Sequence, residues 1–198
     1  MTPESRVKRE HAIEAAAYAL LAERGYGGMS MLAVAKGAKA SNETLYKWYG
    51  DKLGLVTAMI ERNASEARSI LEEALTGSEP PEVVLNRLAP ALLRLLTGTP
   101  AVALNRAAAA DPSGELGRAL ARSGRGALAP MICDVIERLQ PARGTEPAFG
   151  LFMSLLVGDL QIRRAIGALK PLSEAEISER ARIAVADYLK LTEGSVDG

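Results

Sequence analysis

Apolar residues recur at intervals of three and four positions along almost the whole chain of 198 residues. In the first such stretch, Ile13, Ala16, Ala17, Leu20 and Leu21 fall on one face of a helix. The strict alternation of a half-buried strand, rich in β-branched residues, is absent. Because the spacing follows the helical period, the chain is predicted to be all-α, with about nine helices.

Capping and breaking residues divide this pattern into segments. Gly25 ends the first long helix, and Ser30 and Ser41 are N-caps for two short helices that end near Gly37 and Tyr49. After Gly50 and Asp51 a single long helix is expected over 51–75, ended by the breaker Thr76–Pro81. Further helices are predicted at roughly 81–97, 101–110, 112–140, 146–169 and 173–191.

Two local signals refine the second half of the chain. Pro130, with Gly124 nearby, predicts a kink or a split within the 112–140 segment. Ser173 and Glu176 have the spacing of a capping box at the start of the last helix.

The composition excludes several classes of protein. The chain is 48% hydrophobic and 24% charged, which suits a folded soluble protein. Its one cysteine, Cys133, cannot form an internal disulfide and fits a reducing cytoplasm. No uncharged apolar run is long enough to cross a membrane, and the N-terminus lacks the apolar region of a signal peptide. We therefore expect a cytoplasmic protein without a membrane anchor.

Catalytic and metal-binding classes find little support. With His11 and Cys133 as the only histidine and cysteine, no His/Cys zinc site can form, and a Cys–His pair would require these two to meet. There is no P-loop or G-x-G-x-x-G motif, and the carboxylates are spread along helix surfaces. We expect no catalytic residue, no metal and no cofactor; a helical enzyme stays an alternative.

Net charge does not identify a partner. The formal total is zero, and residues 1–52 carry eight Lys and Arg against six Asp and Glu, so 8 − 6 = +2 and the remainder is 16 − 18 = −2. This asymmetry is too weak to establish nucleic-acid binding and only indicates where to look.

Two short helices joined by a turn, after a longer helix, describe a helix-turn-helix. In this motif the second helix enters the major groove of DNA with its N-terminal residues toward the base edges. The second helix lies in the stretch SNETLYKWYGDK, residues 41–52. This stretch contains two lysines and three of the eight aromatic residues of the chain.

The same region resembles the DNA-binding headpiece of the tetracycline-repressor (TetR) family. The matching residues are Gly25-Tyr26, Met29-Ser30, Val34-Ala35, Ala38-Lys39-Ala40-Ser41, Thr44-Leu45-Tyr46, Tyr49, Lys52 and Leu55. The match runs without gaps from about Ile13 to Leu55, whereas the rest of the chain agrees only in length and helical character. The resemblance implies a DNA-binding domain over 1–55 and a helical regulatory and dimerisation domain over 56–198.

Side-chain chemistry assigns expected roles within the motif. The helix capped by Ser41 directs its free N–H groups toward an anionic groove. Asn42 suits adenine and Glu43 suits cytosine N4, while Thr44 suits a phosphate or a thymine methyl. The expected contacts to the DNA backbone are Tyr46, Lys47, Trp48 and Lys52, with Ser30 and Lys39 as further candidates.

The aromatic residues have a second interpretation, because aromatics at helical spacing also suit a core. Leu45 and Tyr49 lie four positions apart and are expected to pack inward. Tyr46 and Trp48 are expected to line the DNA surface, and packing in a core is the alternative for each.

Two residues depart from the family pattern. Lys39 stands where the family favours glycine, because this turn often needs a positive φ that costs another residue about 1 kcal/mol. Gly37 is expected to relax the turn, and a solvated side chain is the alternative to a phosphate contact for Lys39. Met31 replaces polar residues, so fewer DNA contacts are expected from its helix.

The resemblance also implies a homodimer in which the last two long helices form a four-helix bundle with their partners. Residues 146–169 suit this role, because Gly150, Ser154 and Gly158 recur every four positions and permit close helix approach. An internal core helix explains the apolar character equally well. A dimer also spans the two half-sites of a palindromic operator.

An apolar cavity for an unidentified small-molecule inducer is expected among the helices of 81–140. Its candidate lining residues are Leu92, Leu96, Leu104, Asn105, Leu128, Met131, Phe149 and Phe152. Plain core is the alternative for the apolar residues. Inducer binding is expected to shift the 51–75 helix and so change the separation of the two DNA-reading helices.

The sequence therefore predicts a ligand-responsive, dimeric repressor that binds a palindromic operator in double-stranded DNA. The alternative is an all-α interaction or scaffold protein whose helix-turn-helix does not bind DNA.

Overall fold

The structure, a computed structural model, describes residues 2–139 and 144–193. These residues form twelve α-helices and one π-helical segment, without a strand, which confirms the predicted all-α class. The helices are α1 (Pro3–Gly28), α2 (Met31–Gly37), α3 (Asn42–Tyr49), α4 (Lys52–Asn63), α5 (Ser65–Thr76), α6 (Pro81–Thr97), α7 (Thr99–Ala109), α8 (Glu115–Ala119), α9 (Gly126–Leu139), α10 (Thr145–Leu156), α11 (Leu160–Ala165) and α12 (Glu174–Glu193). The π-helical segment is Leu120–Arg125.

Capping residues begin helices where the sequence predicts them. The Oγ of Ser30 accepts a hydrogen bond from the N–H of Ala33 at 3.2 Å, at the start of α2. The capping box before α12 is also present: the N–H of Ser173 donates to the Glu176 carboxylate at 2.7 Å, and the N–H of Glu176 donates to Ser173 Oγ at 3.3 Å. These two helix starts could therefore be located from the sequence.

The helix predicted over 51–75 is interrupted. Ala64, with φ −87° and ψ −1°, separates α4 from α5. No glycine or proline marks the break. Apolar residues at 60, 64, 67 and 71 keep their helical spacing across it, so periodicity alone does not reveal it.

The helix predicted over 146–169 is also divided. Gly158 has φ +49° and lies in the turn between α10 and α11. Gly150 and Ser154 therefore share α10 with each other but not with Gly158, which corrects the expectation of one continuous small-residue stripe. Within the predicted 112–140 helix, α8, the π-helical segment and α9 follow one another directly, so the helical geometry changes near Gly124 whereas Pro130 lies inside α9.

The chain forms two compact units, each made from two stretches. Of the described residues, the first contains 2–63 and 103–124, and the second contains 64–102, 125–139 and 144–193. A functional division at residue 55 stays a prediction, because compactness does not test which residues bind DNA.

The first unit has its own apolar core. Ile13 of α1, Leu45 of α3 and Leu55 of α4 are completely buried in it. Leu104 of α7 and Leu116 of α8 belong to the same cluster, although they lie about fifty residues further along the chain. Helices α7 and α8 therefore complete the core around the helix-turn-helix.

The second unit packs α5, α6, α9, α10 and α12 around another core. Phe152 and Tyr188 are completely buried, with ring centroids 5.4 Å apart in an edge-to-face arrangement. The buried guanidinium of Arg164 donates to the carbonyl of Thr97 at 2.9 Å and to that of Leu169 at 3.0 Å. This side chain fixes α11 against the end of α6. Within residues 2–139 and 144–193, no helix has both the length and the apolar character of a membrane span.

Two glycines of the first unit predict opposite effects of the same substitution. A Cβ at Gly54 would overlap the backbone carbonyl oxygen of Tyr49, whereas a Cβ at Gly117 would meet no atom within 4 Å. Gly54→Ala should lower the free energy of unfolding by about 1–3 kcal/mol, because backbone must move. Gly117→Ala should raise it by about 0.5–1 kcal/mol, because alanine favours the helix. Urea unfolding of both variants measures the two signs.

Candidate functional site

Helices α2 and α3 form the predicted helix-turn-helix, and α1 and α4 support it from behind. Val34 of α2 and Leu45 of α3 are completely buried. Tyr49 is half-buried, in agreement with its predicted inward position. One face of α3 is thus fixed in the core, which leaves the opposite face and the N-terminus of the helix for other contacts.

The N-terminus of α3 is capped and open to solvent. Ser41 Oγ accepts a hydrogen bond from the N–H of Thr44 at 3.1 Å and lies 2.7 Å from its hydroxyl oxygen. The side chains of Asn42 and Glu43 are exposed in the first turn. The structure therefore brings together an amide, a carboxylate and two hydroxyls, a set that can form hydrogen bonds with base edges and phosphates.

The turn between the two helices contains a strained residue. Lys39 has φ +51°, the only positive φ among the non-glycine residues that the structure describes. Gly37 belongs to α2, so the expectation that it relaxes the turn is wrong, and Lys39 itself adopts the left-handed conformation. Nη1 of Arg9, on α1, donates to the carbonyl of Lys39 at 2.8 Å. The Lys39 side chain is exposed.

The aromatic residues of α3 differ in exposure, and only Tyr46 is exposed as the sequence predicts for both Tyr46 and Trp48. Tyr46 is 50% exposed and Lys47 is exposed, while Trp48 is half-buried. The Trp48 ring meets the Tyr49 ring edge-on at 6.3 Å, and the guanidinium carbon of Arg6 lies 5.3 Å from the centroid of the Trp48 ring. Trp48 therefore has both a packing role and a cation–π contact with α1.

Lys52 is held inside the first unit. Its Nζ donates to the carbonyl of Tyr26 at 3.1 Å and lies 4.1 Å from the centroid of the Tyr26 ring. The Tyr26 hydroxyl donates to the Glu115 carboxylate at 2.6 Å, and burial together with this hydrogen bond raises the pKa of Tyr26. One ammonium donor is thus used to join α4 to the end of α1, and a phosphate contact by Lys52 stays a prediction.

Four charged side chains link α1 to the C-terminal end of α4. Arg62 Nη2 lies 3.0 Å from Glu10 Oε2, and Arg62 Nε lies 2.6 Å from Glu14 Oε1 in an ion pair that is not aligned as a hydrogen bond. Arg6 Nε donates to the other Glu10 oxygen at 3.0 Å. Burial alone would raise the pKa of Glu10, but the hydrogen bonds from the two arginines outweigh it and lower the pKa.

The candidate residues of the ligand pocket are divided between the two units. Six of its residues fall in or against the core of the second unit: Leu92, Leu96, Leu128, Met131, Phe149 and Phe152. Leu104 is buried in the core of the first unit, and Asn105 is half-buried beside it in the same stretch of chain. Periodicity places Leu104 and Asn105 on α7 but does not indicate which core that part of α7 joins.

The sequence does not indicate that polar side chains of α1 contact the helix-turn-helix. Arg6 and Arg9 contact Trp48 and the turn at Lys39, and neither was a candidate. The four-residue spacing of Arg6 and Glu10 shows that they can pair on a helix, but it does not show that the pair lies beside α3.

Two family models match the chain. The model described as "Bacterial regulatory proteins, tetR family" matches residues 13–59, and that described as "AefR-like transcriptional repressor, C-terminal domain" matches residues 83–191. No curated protein matches the sequence. The first match covers the helix-turn-helix, and the second covers more than half of the chain.

Solved structures share the fold over nearly the full length. A TetR transcriptional regulator from Agrobacterium tumefaciens is 28% identical, with a TM-score of 0.67 over 96% of this chain and 95% of that chain. A proposed TetR-family regulator from Mesorhizobium loti is 25% identical, with a TM-score of 0.70 over 96% and 98%. The flavonoid-responsive regulator FrrA, at 24% identity and a TM-score of 0.60 over 92% and 96%, shows the same fold.

The positive φ of Lys39 gives a stability prediction. Lys39→Gly should raise the free energy of unfolding by about 1 kcal/mol, because glycine adopts the left-handed conformation without the steric cost of a Cβ. Lys36→Gly is the matched control, since Lys36 is an exposed helical residue of α2 and should lose about 0.5–1 kcal/mol. Chemical denaturation compares them; a loss of stability in both variants would contradict the strain at Lys39.

Proposed function

Because the chain belongs to the TetR family of bacterial regulatory proteins, we propose that this transcriptional regulator binds a palindromic operator in double-stranded DNA as a homodimer and represses transcription in the cytoplasm. The observation that carries the proposal is the capped, exposed N-terminus of α3, with Asn42 and Glu43 in its first turn. A helix N-terminus attracts the anionic groove, and these two side chains have the chemistry to discriminate bases.

Exposure supports the proposed roles of four residues of α3. Asn42 and Glu43 read base edges. Lys47 and Tyr46, exposed on the same helix, donate to phosphates and fix the register on the duplex. The remaining proposed DNA contacts are Ser30, Lys39, Ser41, Thr44, Trp48 and Lys52.

Exposed apolar residues of the second unit support the proposed homodimer. Ile162 on α11 is 58% exposed, Ile166 after it is 68% exposed, and Ile183 on α12 is 41% exposed. Gly150 and Ser154 are exposed on α10. These residues belong to the last part of the chain, where a second copy would bury them, and two copies would place two α3 helices on successive half-sites.

We place the proposed ligand site in the core of the second unit. The supporting feature is that α6, α9 and α10 contribute Leu92, Leu128 and Phe149 to one apolar cluster. The guanidinium of Arg125 lies 5.5 Å from the centroid of the Phe149 ring and adds a charged group at the edge of that cluster. Apolar surroundings with few polar groups are typical of small-molecule sites.

Binding selection tests the function directly. The full-length protein is incubated with random duplexes at low salt, and the retained DNA is sequenced. Enrichment of a palindrome with half-sites about one helical turn apart supports the proposal. Retention without enrichment, or no retention, would favour the alternative of an all-α interaction protein whose helix-turn-helix does not bind DNA.

Base contacts and phosphate contacts of α3 predict two different mutational effects. Asn42→Ala or Glu43→Ala should change which base is preferred, each by about 1–3 kcal/mol at one position. Lys47→Ala should weaken binding to all sequences alike and reduce the slope of log K against log salt by about 0.9. Titrations of the selected operator and its single-base variants at several salt concentrations measure both; a changed base preference in Lys47→Ala would contradict the assignment.

Lys52→Ala should differ from Lys47→Ala in stability. The hydrogen bond and ring contact between Lys52 and Tyr26 are lost, so the free energy of unfolding should fall by roughly 1–2 kcal/mol. Lys47 is exposed, and its removal should leave stability within about 0.5 kcal/mol. Thermal unfolding of the two variants gives this comparison, and equal melting temperatures would show that the Lys52 contact contributes nothing.

Charge introduced on the proposed dimer surface should separate the subunits. The double variant Ile162→Glu, Ile166→Glu would place carboxylates in an apolar interface, where burial without partners is costly. Sedimentation should then give one chain per particle instead of two. Leu75→Glu is the matched control, since Leu75 is 44% exposed on α5 of the same unit. A dimer in both variants would exclude this surface as the interface.

A further inference from the structure

Arg6 is held beside α3 by two contacts. Its Nε donates to Glu10 at 3.0 Å, and its guanidinium carbon lies 5.3 Å from the centroid of the Trp48 ring. The side chain is nevertheless 61% exposed. Within the described residues, its two terminal nitrogens donate no hydrogen bond. The guanidinium is therefore oriented by the protein while most of its donors remain available.

The Glu10 carboxylate, which orients Arg6, is itself held by Arg62 of α4. Glu10 is 16% exposed and bonds Arg62 with its second oxygen at 3.0 Å. Arg62 also pairs with Glu14, which is 13% exposed. Glu10 thus lies between two guanidiniums and Glu14 is paired with Arg62, and the most exposed member of the group is the cation Arg6. The group presents positive charge outward even though its four formal charges cancel.

The location of Arg6 favours a contact with the DNA backbone. Ser41, Thr44 and Trp48 follow one another at intervals of three and four residues, so they lie along one flank of α3. One turn beyond Arg6, Arg9 donates to the carbonyl of Lys39 in the turn before α3. The first turns of α1 therefore run beside the turn of the helix-turn-helix and one flank of α3.

We propose that Arg6 binds a phosphate of the DNA backbone, with Glu10 and Arg62 as positioning residues that hold its guanidinium over Trp48. The proposal rests on the DNA-binding function proposed above. The planar fork of arginine suits phosphate oxygens, and a guanidinium that is already oriented loses less conformational entropy on binding than a free side chain. Through the ion pairs Arg62–Glu10 and Glu10–Arg6, the C-terminal end of α4 is connected to the arginine that would bind the phosphate.

A surface ion pair without function is the simplest alternative. A pair of residues four positions apart on a helix contributes a few tenths of a kcal/mol to stability and has no consequence for DNA affinity. The two explanations therefore differ in the salt dependence of operator binding.

The test measures binding of the full-length protein to its selected operator over a range of salt concentrations. Arg6→Ala should weaken binding on the order of tenfold and reduce the salt slope by about 0.9, as expected for one lost phosphate contact. Arg6→Lys should keep most of the slope and lose part of the affinity, because it retains the charge without the fork. Arg24→Ala, which removes an exposed arginine about 27 Å further along α1, should leave both quantities unchanged.

A double-mutant cycle tests the positioning role of Glu10. If Glu10 acts through Arg6, Glu10→Gln should cost at least about threefold more affinity in the presence of Arg6 than in the Arg6→Ala background. Equal effects in the two backgrounds would overturn the positioning role. Circular dichroism of each variant confirms that the fold is retained.

The binding measurements distinguish failure of the DNA-binding function from failure of the phosphate contact of Arg6. If the wild-type protein selects no DNA sequence, the DNA-binding function fails. If it binds an operator but Arg6→Ala and Arg24→Ala have the same salt slope as the wild type, the phosphate contact is overturned and the function stands.

Discussion

The proposed DNA-reading helix depends on burial of Leu45. Helix α3 has only eight residues, too few to be stable in water without tertiary contacts. Leu45 is completely buried among residues of α1, α2 and α4, and the half-buried Tyr49 extends that contact by one turn. Because this face is fixed, the remaining side chains of α3 have defined directions. The exposure of Asn42, Glu43 and Lys47 is a consequence of packing on the other side of the helix.

The turn before α3 shows how the structure tolerates a locally unfavourable residue. Lys39 adopts a positive φ that costs a non-glycine residue about 1 kcal/mol. The Arg9 guanidinium donates to its carbonyl, and a charged hydrogen bond contributes a stabilisation of comparable or larger size. A side chain of α1 thus offsets strain in the turn. The same helix carries Arg6 to the flank of α3, so α1 supports the motif by more than its apolar face.

Much of this arrangement could be predicted from the sequence because it is local. The N-caps at Ser30 and Ser41 and the capping box at Ser173 depend on residues three positions apart, and the structure contains all of them. Contacts between distant elements could not be predicted in this way. Nothing near Leu104 shows that it joins the core of the first unit, and nothing near Trp48 shows that Arg6 lies over its ring.

The stretch Ala103–Gly124 packs with the helix-turn-helix although it lies far along the chain. It lies within residues 83–191, which match the C-terminal family model, yet it belongs to the first compact unit. Leu116 is completely buried among the residues around α4, and Glu115 accepts the hydrogen bond of Tyr26, whose carbonyl binds Lys52. A displacement of α8 would therefore change the packing of α4, and α4 packs against α3. Within the first unit, packing contacts therefore connect α8 through α4 to the proposed DNA-reading helix.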